Sequence, residues 1–237
     1  MSERHLGREL PDFTPPSPPG PERIEGLFMS LERLSPDHAH DLFRANGTDQ
    51  PMWDYMPYGP FSSEPAYIRW VEDMAALSDP FFYAIRDRAS DKAAGVAAYL
   101  RIAPDHGVIE IGHIALSPAM QRKAAASEAL MRMIDWAFAA GYRRVEWKCN
   151  ALNIPSRRAA TRLGFSFEGL FRNHMVVKGR NRDSAWFAIT DDDWPAVAAA
   201  YQAWLVPSNF DAEGRQVERL SDLTALTRPV PDPALAD

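Results

Sequence analysis

The stretch VIEIGHIALSPAMQRKAAASEALMRMIDWAFAAG, residues 108–141, changes its hydrophobic period part-way along. Val108 to Leu116 reads as a strand and Ser117 to Met120 as a turn. From Gln121 the apolar spacing lengthens: Ala126, Leu130, Met133, Ile134, Ala137 and Phe138 fall on one face of a helix that Gly141 stops. A strand that ends where a helix begins exposes first-turn N–H groups and a positive dipole end, which together suit a phosphate. Arg122 and Lys123 add positive charge at the rim, while Ala124, Ala126 and Ser127 keep the surface low enough for phosphate oxygens to reach the backbone. An alanine-rich start is also what a good helix former looks like, so this stretch alone leaves both readings open.

Outward from it, the chain interleaves strands and helices without an internal repeat. Upstream, Leu27 to Leu34 reads as a strand, and Ser35–Pro36 starts a short helix ending near Asn46 and Gly47. A loop rich in aromatics and prolines follows over 53–61, then a helix over Glu64 to Leu77. Phe81 to Arg86 and Ala93 to Ile102 join 108–116 in an antiparallel meander. Downstream come a strand over Arg144 to Cys149 and a helix over Pro155 to Leu163 capped by Gly164. Phe165 to Val177 and Ser184 to Ile189 form a hairpin around the turn 178–182, and a last helix spans Asp192 to Leu205. This order predicts an α/β fold in which a mixed, mostly antiparallel sheet of about seven strands is flanked by helices.

Composition bounds the function classes. A chain of 237 residues, 46% hydrophobic and 24% charged, buries one substantial core. Its net charge of -6 carries no basic stripe, which argues against nucleic acid as a partner. No apolar stretch offers a signal peptide or membrane span. A single cysteine, Cys149, excludes an internal disulfide and offers no metal cluster, so no metal is expected and a reducing cytoplasm fits. Three regions are expected: a flexible proline-rich lead-in over 1–22, the domain proper over 23–206, and a partly disordered extension over 207–237.

Two blocks resemble one family. EIGHIALSPAMQRKAAASEAL (110–130) resembles the central motif of the GNAT superfamily of N-acetyltransferases, especially its ribosomal-protein branch, with the pattern Gln/Arg-x-x-Gly-x-Gly/Ala. ALNIPSRRAATRLGFSFEG (151–169) is similar to that branch's segment Asn-x-x-Ser followed by Gly-Phe, with Asn153, Ser156, Gly164 and Phe165 in the matching places. Ala124 departs from the pattern, standing where the first glycine belongs. The resemblance implies acetyl-CoA as co-substrate, its pyrophosphate on the amides of Gln121, Arg122, Lys123, Ala124, Ala125, Ala126 and Ser127. It also implies a pantetheine arm paired with Ile114, Ala115 and Leu116. The acceptor is an amine: a protein or peptide N-terminus by branch resemblance, with a free antibiotic or polyamine, or a non-catalytic acyl-CoA sensor, as alternatives. A monomer and a homodimer both remain open.

The amine must lose a proton before or during attack on the thioester carbonyl. Glu110 is the leading base, on the same strand, against the plain reading of a surface carboxylate. His113 competes, its reference pKa of about 6.5 suiting the task. The odd spacing between them points them to opposite faces unless a bulge intervenes. Ser156 either assists the departing thiolate or caps its helix. Asn153 caps the same helix or holds the pantetheine, and Arg157 is a surface charge or a partner for cofactor phosphates. Trp53, Tyr55 and Tyr58, with the turn 178–182, are expected to recognise the acceptor, loops on a rigid sheet commonly carrying specificity.

Overall fold

The structure, a computed structural model, describes residues 6–47 and 51–235. Eight strands form one sheet: β1 (Arg23–Glu25), β2 (Met29–Arg33), β3 (Phe81–Asp87), β4 (Lys92–Ala103), β5 (Val108–Leu116), β6 (Arg144–Asn150), β7 (Ser166–Val177) and β8 (Arg180–Thr190). Their order is β1-β2-β3-β4-β5-β6-β8-β7, antiparallel throughout except for the parallel β5–β6 pair. The extra strand is β1, three residues too short to show a period. Lys178 and Gly179 both take positive φ, so the β7–β8 turn is tighter than composition suggests and β8 starts at Arg180.

Helices cover both faces. On one lie α3 (Ala124–Ala139), α4 (Ile154–Arg162), α5 (Trp194–Trp204) and α6 (Leu220–Ala225), sealing Ile109, Ile111, Val145, Trp147, Phe187 and Ile189 into the larger core. On the other, α1 (Ala39–Asn46) and α2 (Glu64–Ala75) pack with Trp53, Phe82, Val96 and Ala115 into a second cluster. No helix of the described residues is long and apolar enough to cross a membrane.

The described segments near both ends are tied to this body. Pro16 and Pro19 are buried, and Tyr142 and Tyr83 donate their hydroxyls to the carbonyls of Ser17 (3.2 Å) and Pro21 (2.8 Å). At the other end, where composition points to fraying, α6 buries Leu220 and Asp232 is 3% exposed. Asp232 accepts from Arg157 Nε at 2.7 Å and Nη2 at 2.5 Å. An acidic side chain in a proline-rich tail looks disordered until a buried guanidinium elsewhere needs it.

Glu32 on β2 holds a displaced carboxyl pKa. Burial works to raise its pKa, but hydrogen bonds from Arg86 and His38 outweigh it and bring it to about 2. A depressed folded pKa contributes stability above the unfolded value and loses it as pH falls. Wild type should therefore exceed Glu32→Gln by about 3 kcal/mol near neutrality, the gap closing between about pH 5 and pH 2 in urea melts. A gap that does not change with pH would sink this assignment.

Candidate active site

The site begins at an interruption of the sheet. β5 and β6 pair only over Val108, Ile109 and Glu110 against Arg144, Val145 and Glu146. Beyond Glu110 the strands part, so the edge of 111–116 that faces β6 has no strand against it. Unpaired backbone edges are obligatory hydrogen-bonding groups awaiting a partner.

Glu110 stands at the apex of this opening, 3% exposed rather than on the surface. Arg101 Nη1 at 2.7 Å and Lys148 Nζ at 3.0 Å both meet its Oε2, leaving Oε1 outside these contacts. Lys148 also meets Glu146 at 2.7 Å and lies 3.9 Å over the Trp186 ring. Burial works to raise Glu146, but Lys148 and Arg144 together hold its carboxyl below the usual range. Arg101 and Lys148 escape a motif-based reading, although Arg144, Glu146 and Lys148 at alternate positions of one buried strand are a legible sign of charges on one face.

His113 corrects the expectation of opposite faces. On β4, Ala97 alone separates Val96 from Ala98, while on β5 His113 and Ile114 separate Ala115 from Gly112. His113 is the residue of this bulge in the left-handed region, at φ 50°, and the extra residue resets the alternation. Its ring stacks 5.6 Å from Tyr58 and lies 5.2 Å from Phe82, on the side of the second core. Burial, then Arg101 and Arg182, lower its pKa to about 4, so the ring is neutral near pH 7. Its Nδ1 is enclosed without a partner.

The loop bearing Trp53, Tyr55 and Tyr58 packs beside His113. Trp53 is buried, and Tyr58 contacts Trp70 at 4.7 Å. Lys178, in the β7–β8 turn, donates to the carbonyls of Trp53 (2.8 Å) and Tyr58 (3.1 Å), so the two segments expected to recognise an acceptor touch. Tyr55 reaches across to the Leu152 carbonyl at 3.2 Å.

On the helix side, Asn153 caps α4 by accepting from the Ser156 amide at 3.2 Å. Ser156 Oγ accepts from Trp147 Nε1 at 3.0 Å, which leaves its own proton to donate. Cys149 is buried, and its thiol is pushed up to about 11 by that burial, with Ser156 pulling the other way. It therefore stays protonated near neutral pH. Arg157 is corrected: it is not a surface charge but 6% exposed, with Nε and Nη2 donating to Asp232 and Nη1 to the Ala151 carbonyl at 3.0 Å.

The α3 start is also shifted. The helix begins at Ala124, because Arg122 takes φ 64° and breaks the turn before it. Gln121 donates its side-chain Nε2 to the Leu116 carbonyl at 2.9 Å, occupying one acceptor expected to meet the pantetheine, while the backbone amides of Gln121 and Lys123 are spent on the carbonyls of Ser117 (2.9 Å) and Met120 (3.3 Å). The N-cap, Lys123, makes no side-chain cap, and its Nζ pairs with Asp87 at 3.1 Å. The left-handed residue is Arg122 and not Ala124, so the missing motif glycine is not missed for backbone freedom. Ala125 and Ala126 turn their methyls into the core, and Ser127 Oγ accepts from Arg162 Nη1 at 2.5 Å. A cavity of about 810 Å³ opens at this helix start, with Arg122, Lys123, Ala124 and Ala125 on one wall. First-turn amides without a cap, bordered by guanidinium groups, fit the phosphates of a nucleotide-bearing carrier. Among the described residues no His, Cys, Asp and Glu cluster is arranged to hold a metal ion.

Comparison with known proteins agrees with this geometry. Residues 29–166 match the family model described as an acetyltransferase (GNAT) domain. The chain is 43% identical to a GCN5-related N-acetyltransferase from Brucella melitensis, whose structure superposes with a TM-score of 0.88 over 91% of this chain and 100% of that one. A structure named as a probable acetyltransferase (GNAT family) of Chromobacterium violaceum shows 38% identity and a TM-score of 0.76, over 83% of this chain and 100% of its own. An uncharacterized N-acetyltransferase p20 of Bacillus licheniformis is 29% identical over 68% of this chain and 92% of its own.

Proposed function

The chain belongs to the GNAT acetyltransferase family, and from that premise we propose that it transfers acetyl from acetyl-CoA directly to a primary amine, with a protein or peptide N-terminus as acceptor. The observation that carries this reading is the parting of β5 and β6 beyond Glu110, between a phosphate-fitting helix start and an aromatic-lined loop. CoA, when bound, supplies the activated thioester; the chain's residues supply position and proton handling.

In this reading the β6-facing edge of 111–116 orients the pantetheine arm. The amine nitrogen attacks the carbonyl carbon, forming the N–C bond as the C–S bond breaks. Glu110 takes the amine proton on Oε1, directly or through one water, while Arg101 and Lys148 hold the other oxygen. Ser156 donates its hydroxyl proton to the departing sulfur and is reprotonated from solvent, to which Glu110 returns the amine proton. Tyr58 and neutral His113 border the acceptor, with Trp53 buried against Tyr58. The ribosomal-protein branch is supported by the Asn153–Ser156–Gly164–Phe165 spacing.

Calorimetry with acetyl-CoA, followed by CoA release across matched panels of peptides and small amines, tests this. Saturable binding with release for N-terminal peptides is the expected result. Release only with free amines would move the acceptor to the small-molecule class. Binding with no release for every acceptor would instead make the fold an acyl-CoA sensor.

A further inference from the structure

The cavity at the start of α3 has a second wall that lies outside the residues matching the family model. Trp204 ends α5, and Phe210 to Gln216 fold back as a small hairpin closed by the Phe210–Gln216 bridge and a left-handed Gly214. Phe210 packs edge-on against Phe28 at 4.8 Å and Trp204 at 5.0 Å, fixing the hairpin to the body.

Between the two walls lies Arg162, the last residue of α4. Its guanidinium lies 5.4 Å over the Trp204 ring. One nitrogen donates to Ser127 Oγ at 2.5 Å and another to Gln216 Oε1 at 3.5 Å. Gln216 is itself fixed by Trp204 Nε1 at 2.8 Å. Of the other cations around the cavity, Arg122 also has no carboxylate partner among the described residues but is exposed to solvent, and the rest are paired. Lys123 is matched by Asp87, Arg88 by Glu25, and Arg215 by Asp211 and Glu213. Among the described residues no carboxylate pairs with Arg162. Burial pulls its pKa down, as expected for a cation taken from water without a counter-charge. A partly buried, unneutralised guanidinium is costly unless an anion arrives, and a planar donor fork suits phosphate oxygens.

We infer that Arg162, held by Ser127 and by Gln216 of the C-terminal hairpin, binds a phosphate group of the CoA carrier, so that the extension beyond residue 206 completes the cofactor site. This rests on the transfer reading above. The phosphate can belong to the diphosphate or to the ribose 3′-phosphate, and both offer the same chemistry to a guanidinium.

The test is calorimetric binding of acetyl-CoA and of its 3′-dephospho analogue to full-length wild type, Arg162→Gln, Gln216→Leu and, as a control, exposed Arg158→Ala. Losing a charge-assisted contact to phosphate should weaken acetyl-CoA binding about 10- to 100-fold in Arg162→Gln. Gln216→Leu, which keeps the cation but removes its tether, should weaken binding by a smaller factor, and Arg158→Ala should match wild type. If the Arg162→Gln penalty disappears with the dephospho analogue, the 3′-phosphate is the partner; if it persists, the diphosphate is. Should Arg162→Gln fail to fold, Gln216→Leu carries the test. Wild-type affinity in both variants overturns the role of Arg162 and leaves the transfer reading intact. Absence of binding in wild type itself overturns both.

Discussion

Asp232→Ala should be the most destabilising single substitution outside the hydrophobic core, lowering unfolding free energy by about 3–5 kcal/mol. The carboxylate is 3% exposed and accepts from Nε and Nη2 of Arg157 and from the Ala234 amide at 3.0 Å. Removing it leaves a guanidinium 7% exposed with the Ala151 carbonyl at 3.0 Å and the Phe167 ring at 5.7 Å but, among the described residues, no counter-charge. The size of the effect comes from that stranded charge more than from the lost attraction. Arg157→Met in the same background should therefore recover a large part of the loss, which a double-mutant cycle in denaturant will read. A single variant within about 1 kcal/mol of wild type would show that the tail is not held by this pair. Arg157 follows Ser156 directly, so release of the tail should also disturb the first turn of α4.

Glu110→Gln should lower kcat/KM for acetyl transfer by about 10²- to 10⁴-fold, the usual contribution of a positioned base. Acetyl-CoA affinity should change little, since Glu110 lies at the strand apex and not among the cavity-lining residues at the start of α3. The signature is the pH profile, which should change shape when the carboxylate is replaced. An unmoved profile with a modest rate loss would reduce Glu110 to the anchor of Arg101 and Lys148. His113 gives the contrast. With its pKa lowered to about 4, it is neutral across the physiological range. His113→Asn should raise the acceptor KM while leaving the profile above about pH 6 in place.

Much of this fold is legible in the chain because its signals are local. The period change across 108–141, Asn153 with Pro155 at the start of α4, and Gly141 and Gly164 after their helices are each set by backbone sterics or by a cap within a few residues. Boundaries moved where a residue accepts a left-handed conformation without being glycine. Arg122 delays α3 to Ala124, while His113 leaves the bounds of β5 in place and shifts its alternation instead. Nothing in their own identity announces either, because a neighbouring strand or helix imposes the strain.

The same division runs through the site. Sequence alone determined the order of the longer elements, the family, the strand-to-helix junction before α3 and the two motif blocks, since each depends on residues adjacent along the chain. Tertiary structure alone decided which charges neutralise one another. Arg157 is taken by a carboxylate 75 positions away, Lys148 bridges two strands, and Arg162 is left without a counter-charge beside the folded-back C-terminal hairpin. Pairing between distant side chains depends on distance and burial in three dimensions, and a linear pattern carries neither.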